Sequence, residues 1–237
     1  MIQWTLLIRS ALVMSWTRLL PTVGKRLLPL LLLGSNPVAA HPHSWIDMVT
    51  QLQIDQQQRL TSLHLSWLFD EFYSATILDD AKAKGHSVEQ ELALFGQETL
   101  ANLATENYLT RMTLEGQKVH FGQGTQARAT LLNGQIRFDY QLPLQEPLPL
   151  AGKRLQFAIY DSTYYVEMLH RQPEAVQLQG DGAVHCQRQL LPPNPSSEQQ
   201  SYAVSLDKTE QADDGLGTAF AEQVIVQCST PDTGTSP

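Results

Sequence analysis

The stretch "LTSLHLSWLFDEF", residues 60–72, alternates apolar and polar side chains. Leu63, Leu65, Trp67 and Phe69 share one parity; His64, Ser66 and Asp70 share the other. Successive side chains of a strand point to opposite faces, so this period of two reads as a half-buried β-strand. Trp67 and Phe69 are then core, and Asp70 and Glu71 form a solvated strand end. Upstream, "HPHSWIDMVTQLQID" at residues 41–55 reads as another strand, with "QQQR" as a polar turn between the two. The pair is expected to form an antiparallel hairpin.

Downstream of the hairpin the period changes. "LDDAKAKGHSVEQE" is polar, and Ser87 followed by Gln90 forms a capping box for a helix. Leu92, Leu94, Phe95, Leu100, Leu103 and Leu109 keep near-helical spacing to about residue 112. Gly96 weakens that helix slightly. "KVHFGQGTQARATLLNGQIRFDYQLPL" holds two or three strands, with Asn133-Gly134 as a hairpin turn. "KRLQFAIYDSTYYVEML" is a long strand broken near Asp161-Ser162, and "AVQLQG", "VHCQRQL" and "FAEQVIVQC" supply the rest. The expected class is α+β: mainly antiparallel β-sheet or sandwich with one long α-helix.

Residues 1–40 carry Arg9, Arg18, Lys25 and Arg26 and no acid, then "LLPLLLLG", then Val38-Ala39-Ala40. Basic residues, a short apolar core and small residues before a cleavage point are the pattern of a secretory signal. The apolar core is shorter than the roughly 20 residues of a membrane span. A start at Met14 would give a signal of more usual length. Cleavage after Ala40 leaves residues 41–228 as one periplasmic domain and residues 229–237 as a disordered tail. The mature chain is then not membrane-spanning.

The net charge is −8, and the first forty residues hold only basic groups, so the remainder is more acidic still. A nucleic-acid partner would require a basic surface, and none is expected. The two cysteines, Cys186 and Cys228, favour a disulfide over two free thiols in an exported chain. Closing that loop of about 43 residues contributes roughly 4 kcal/mol in a chain-entropy treatment.

In a strand, His41, His43, Trp45 and Asp47 point to one side. Two imidazoles and a carboxylate on one face suit zinc, nickel or copper. Cleavage after Ala40 would also free the His41 α-amine as a ligand. Paired strands bring side chains to about 5 Å, so His64 or Asp70 could complete the set. Tyr160, Asp161, Tyr164 and Tyr165 form a second group able to line a pocket. Aligning Gly85 with the glycine of a calcium loop makes Asp80 and Glu91 its ends, but Lys82 and Lys84 fall where oxygen donors belong. Calcium is therefore not expected. There is no nucleophile elbow, phosphate loop, His-Glu-x-x-His or dinucleotide fingerprint, and no enzyme is expected.

Together, "HPHSWID", "WLFDEFYS", the acidic stretch before a helix, "YDSTYYVEM" and the late cysteine pair resemble an uncharacterised bacterial domain-of-unknown-function family. That family is described as the periplasmic component of an uncharacterised ABC-type transport system. The resemblance spans about residues 41–228 and carries over to His41, His43, Trp45, Asp47, Trp67, Phe69, Asp70, Tyr160, Asp161, Tyr164, Tyr165, Cys186 and Cys228. It implies association with metal-ion transporters of the nickel/cobalt or zinc type. The expected function is thus a periplasmic accessory protein binding one transition-metal ion (Zn, Ni, Co or Cu) and working with an inner-membrane metal-ion transporter. The alternative is a non-catalytic interaction module that docks the transporter and binds no metal.

Overall fold

The structure, a computed structural model, describes residues 42–206, 212 and 215–230. The signal segment, His41 and residues 231–237 of the tail lie outside the described residues. Strand β1 (Ser44–Ile54) buries alternate side chains, from Ser44 and Ile46 through Met48, Thr50 and Leu52 to Ile54. Strand β2 (Arg59–Phe69) runs antiparallel to it, with Ile46 opposite Phe69 and Leu52 opposite Leu63. Leu60 and Leu63 differ in parity, yet both are buried. A register shift between Leu60 and Ser62 inserts one residue, and this bulge turns both leucines inward. In the connecting turn the Asp55 carboxylate accepts from the N–H groups of Gln57 and Arg59.

Helix α1 (Glu71–Lys84) begins at once, with Asp70 accepting from the Tyr73 N–H as N-cap and Gly85 at φ 74° closing the other end. Helix α2 (Val88–Thr105) carries the expected capping box of Ser87 and Gln90. A chain in left-handed conformation at Asn107, Tyr108 and Leu109 follows, leading into β3 (Thr110–Leu114). Strands β4 (Gln117–Lys118), β5 (Thr125–Leu132), β6 (Gln135–Pro149), β7 (Arg154–Ile159), β8 (Val166–Leu169), β9 (Val176–Gln179) and β10 (Cys186–Leu191) come next. Helices α3 (Ser197–Ser205) and α4 (Leu216–Ala219) precede the last strand, β11 (Gln223–Cys228).

One sheet has the order β5-β6-β2-β1-β8, with β9 also on β1; the other has the order β10-β11-β7-β3-β4. Both contribute to one core, in which Trp67 lies edge-on to Phe138 and Tyr140, and Leu155, Phe157, Val224 and Val226 come from the second sheet. Helix α2 lies close to β5 at Gly96, where a Cβ would stand 3.4 Å from the Ala129 nitrogen, in ordinary contact. Cys186 and Cys228 are directly opposed across β10 and β11 and form the expected disulfide. A smaller cluster gathers Tyr164, Ala203, Leu206, Ala212 and Leu216 around Phe220.

The expectation of an α+β fold with one long helix is corrected. Among the described residues the chain is mostly β, in two sheets, with four helices of which the longest has 18 residues. The helical spacing that continued to Leu109 and Met112 breaks at Glu106, because Met112 and Leu114 are the inward side chains of β3. The expected strand end at Glu71 and the polar stretch from Leu78 to Lys84 both lie in α1. This helix fully buries Ser74, Ile77 and Ala81 and partly buries Tyr73, too little apolar surface for periodicity to register. The first sheet is also mixed, since β8 and β9 run parallel to β1.

Candidate functional site

Three distant stretches meet at the start of β1. Parallel pairing places Ser44 beside Val166 and Trp45 beside Glu167, while β2 ends at Phe69 opposite Ile46. His43 is half-buried between them. Its backbone N–H donates to the Tyr165 carbonyl at 2.9 Å, and its ring lies 4.7 Å from the Tyr165 ring at a tilt of 52°.

Asp70 holds this segment from the β2 side. One carboxylate oxygen accepts from the Ser44 hydroxyl at 2.7 Å and the Trp45 N–H at 3.0 Å; the other accepts from the Tyr73 N–H at 2.8 Å. The Asp70 N–H donates back to the Trp45 carbonyl at 3.0 Å. Burial would raise the Asp70 carboxyl, but the hydrogen bonds from Ser44, Trp45 and Tyr73 prevail and hold it below the usual carboxylate range. Burial pushes the Tyr73 phenol well above its ordinary value, with the Asp70 charge and Tyr165 adding to the shift, so Tyr73 stays neutral.

Asp161 acts from the β8 side. Its carboxylate accepts from the N–H and hydroxyl of Thr163 at 3.0 and 2.9 Å, and from the N–H groups of Tyr165 and Val166 at 3.1 and 3.2 Å. This fan of donors curls residues 161–166 into a loop and presents Tyr165 to His43. Tyr164 takes φ 57° within the loop and faces elsewhere: its ring stacks on Phe220 at 3.9 Å and its hydroxyl donates to Glu167. Burial raises the Tyr164 phenol too, with Glu167 contributing. Tyr160 is apart again, under the Arg111 guanidinium and within 3.2 Å of the Thr218 hydroxyl. The four residues therefore do not line one pocket, because the loop with its left-handed turn at Tyr164 sends Tyr164 to Phe220 and Tyr165 to His43.

Of the five expected metal ligands, the four described ones, His43, Asp47, His64 and Asp70, are likewise not assembled. Asp47 is half-exposed and bound by the Arg171 Nε at 2.5 Å, with Glu167 3.7 Å from the same guanidinium. A fixed cation beside the carboxylate opposes a second one. His64 pairs with Gln51 and Gln141 in mid-sheet, roughly 25 Å along β1 from His43 at about 3.3 Å per residue. Asp70 is occupied as described, and His41 lies outside the described residues. Among the described residues no three of His, Cys, Asp and Glu group to hold a metal. The His43 imidazole is a nitrogen donor of the kind that borderline divalent ions take. Thiolate is excluded, since Cys186 and Cys228 are joined.

Elsewhere, Glu91, the twelfth position of the would-be calcium loop, is held by Lys84 at 3.3 Å and His86 at 2.7 Å. Sequence reasoning missed a buried relay. His170 Nε2 is 2.9 Å from the Thr50 hydroxyl, and His170 Nδ1 is 3.1 Å from Glu222. The order of groups is that of a hydrolase triad, but Thr50 is wholly buried in mid-strand and offers no substrate access. The relay instead ties β8 of one sheet to the approach of β11 in the other. Two open clefts, about 390 Å³ beside the β3–β4 hairpin and about 460 Å³ between α2 and β5, have none of the His43 cluster in their walls. Among the described residues no helix is long and apolar enough to cross a membrane.

Residues 27–228 match the family described as "Protein of unknown function (DUF1007)". An uncharacterized protein of Haemophilus influenzae is 32% identical over 204 residues, 84% of this chain and 97% of its own length. The match takes in all three stretches that meet at His43, and the chain belongs to this uncharacterised family.

Proposed function

We propose that the chain is a periplasmic accessory protein of a metal-ion transport system, holding one transition-metal ion at the start of β1. His43 and the His41 imidazole and α-amine are the nitrogen donors in this reading. Asp47, His64 and Asp70 are withdrawn from the ligand set by the geometry above. The observation that carries the proposal is the convergence of three separate stretches on His43, a half-buried imidazole two residues from the expected mature N-terminus. Zinc, nickel, cobalt and copper all fit imidazole with oxygen or amine donors.

The test uses chain exported by its own leader and tagged only at the C-terminus. Native and denaturing intact mass should give a chain starting at His41 with one stoichiometric metal, lost when His41 and His43 are both replaced by Ala. A chain that takes up no copper, zinc or nickel refutes the proposal.

A second reading rests on a different observation. Phe72 is 81% exposed and Trp45 is 42% exposed, on either side of Asp70. Exposed aromatics at one spot suit a docking module for an inner-membrane transporter. Retention of a transporter subunit after chelation, abolished by F72A, would favour it.

A further inference from the structure

We infer that one end of the first sheet is a bilayer-contact surface, where Trp45, Phe72, Leu131 and Leu132 rest in the headgroup layer of a phospholipid membrane. The inference does not depend on metal binding, and it gives the exposed aromatics beside Asp70 a lipid rather than a protein partner. These four side chains come from three distant stretches, and each is 42–81% exposed. The topology collects them. β1 and β6 both run antiparallel to β2, and β5 antiparallel to β6, so β1 starts, β2 ends and the β5–β6 hairpin turns at the same end of the sheet. Hydrogen bonds tie the three supports together. The Asp70 N–H donates to the Trp45 carbonyl, Gln135 Nε2 donates to the Phe69 carbonyl at 2.8 Å, and the Ile136 N–H donates to the Ser74 hydroxyl at 2.9 Å. Phe72 stands on the side of α1 turned away from Ser74, Ile77 and Ala81, the residues this helix buries.

Apolar side chains gathered at one exposed place mark a protein or a membrane contact. Three observations favour lipid. The groups are an indole, a phenyl ring and two leucines on strand ends and a first helical turn, and an indole suits the boundary between acyl chains and headgroups. Residues 1–40, with the run "LLPLLLLG", four basic side chains and no acid, enter the fold through β1 at this same end. A membrane engaged by that segment lies against these residues. The next charges down the sheet are closed in pairs, Asp47 with Arg171 and Arg137 with Asp139, which lowers the cost of bringing them near a bilayer. Glu71 adjoins Phe72, and the chain after residue 40 is acidic. Contact is therefore driven by apolar burial and not by attraction to anionic lipid.

The experiment uses chain exported by its own leader and phosphatidylcholine vesicles that contain no protein. Flotation gives the bound fraction, and amide exchange with and without vesicles locates the contact. Wild type should float, with added protection at residues 43–46, 71–74 and 130–135. The variants W45S/F72S and L131T/L132T should each lower the partition coefficient by about tenfold, as expected when two apolar side chains are withheld from the bilayer. V184S is the control. Val184 is 79% exposed, but Gly182 of the same short helix packs on Asp55 in the β1–β2 turn, at the opposite end of the sheet. It should bind as wild type does. Unfolding midpoints show which variants fold, and F72S alone serves where a double variant does not. Wild type that stays in the aqueous phase overturns the inference, and its capture by a transporter subunit in detergent would then assign the surface to a protein partner. Binding weakened equally by V184S, or kept in full by W45S/F72S and L131T/L132T, also overturns it, because the contact would then lie elsewhere in the chain.

Discussion

Replacing Asp70 with Ala removes one carboxylate that serves three donors, and its cost can be worked from those contacts. The Tyr73 N–H loses its N-cap acceptor, worth about 1 kcal/mol. The Ser44 hydroxyl is buried and loses a charged acceptor, at about 1–3 kcal/mol. The Trp45 N–H bond is exposed to water and adds little. Since the terms share one group they do not add fully, and D70A should lose about 2–4 kcal/mol. D70N keeps the size and one acceptor oxygen and should lose about half of that. The assay is urea unfolding of metal-free protein by tryptophan fluorescence, repeated from pH 7 down to pH 2. Because the folded carboxyl is held below its ordinary value, its contribution is complete above the unfolded pKa of about 3.9 and is lost as pH falls through the folded value. The gap between wild type and D70N should therefore close in acid while other carboxylates affect both proteins alike. A loss below about 0.5 kcal/mol for D70A, well short of a single N-cap, or a D70N gap independent of pH, would refute the reasoning.

Three further outcomes follow from particular contacts. Replacing Cys186 and Cys228 together with Ala opens a loop of sequence separation 42 and should cost about 4 kcal/mol in urea unfolding; an unchanged midpoint would show that β10 and β11 hold without the link. H170A leaves the buried Glu222 without its imidazole partner and should cost about 1–3 kcal/mol, read by thermal unfolding. A loss under 1 kcal/mol would mean the relay does not tie the sheets. At Gly217 a Cβ would stand 1.8 Å from the Asp161 carbonyl oxygen, so G217A should cost about 1–3 kcal/mol and weaken the near-ultraviolet signal of the Tyr164–Phe220 stack.

Local chemistry was readable wherever a residue acts on its neighbours. The alternation of Leu63, Leu65, Trp67 and Phe69 reappears as the buried face of β2, and Ser87 with Gln90 caps α2 as expected. Asn133-Gly134 turns β5 into β6, with φ 52° and 87°. At Asp70 the sequence is ambiguous for a physical reason. An aspartate after a strand looks alike as a solvated end, a metal ligand or an N-cap, and only a helix beginning at Glu71 tells them apart. The signal was present in the acidic first turn, but α1 buries too few apolar groups to mark its period.

The sequence by itself determined the strand character of the chain, the pairing of β1 with β2, the capped α2 and the disulfide. Each of these depends on side-chain period, on neighbours a few residues apart or on a unique cysteine pair. Only the tertiary structure decided that β8 and β9 lie parallel to β1, more than a hundred residues from it in sequence. That choice brings Tyr165 to His43, Arg171 to Asp47, and Glu222 through His170 to Thr50. It also leaves His64 and Asp47 out of any shared site. The period of a strand says which face a side chain takes, but not which strand will lie beside it. That is settled by how two whole sheets bury one core, a property no short stretch contains.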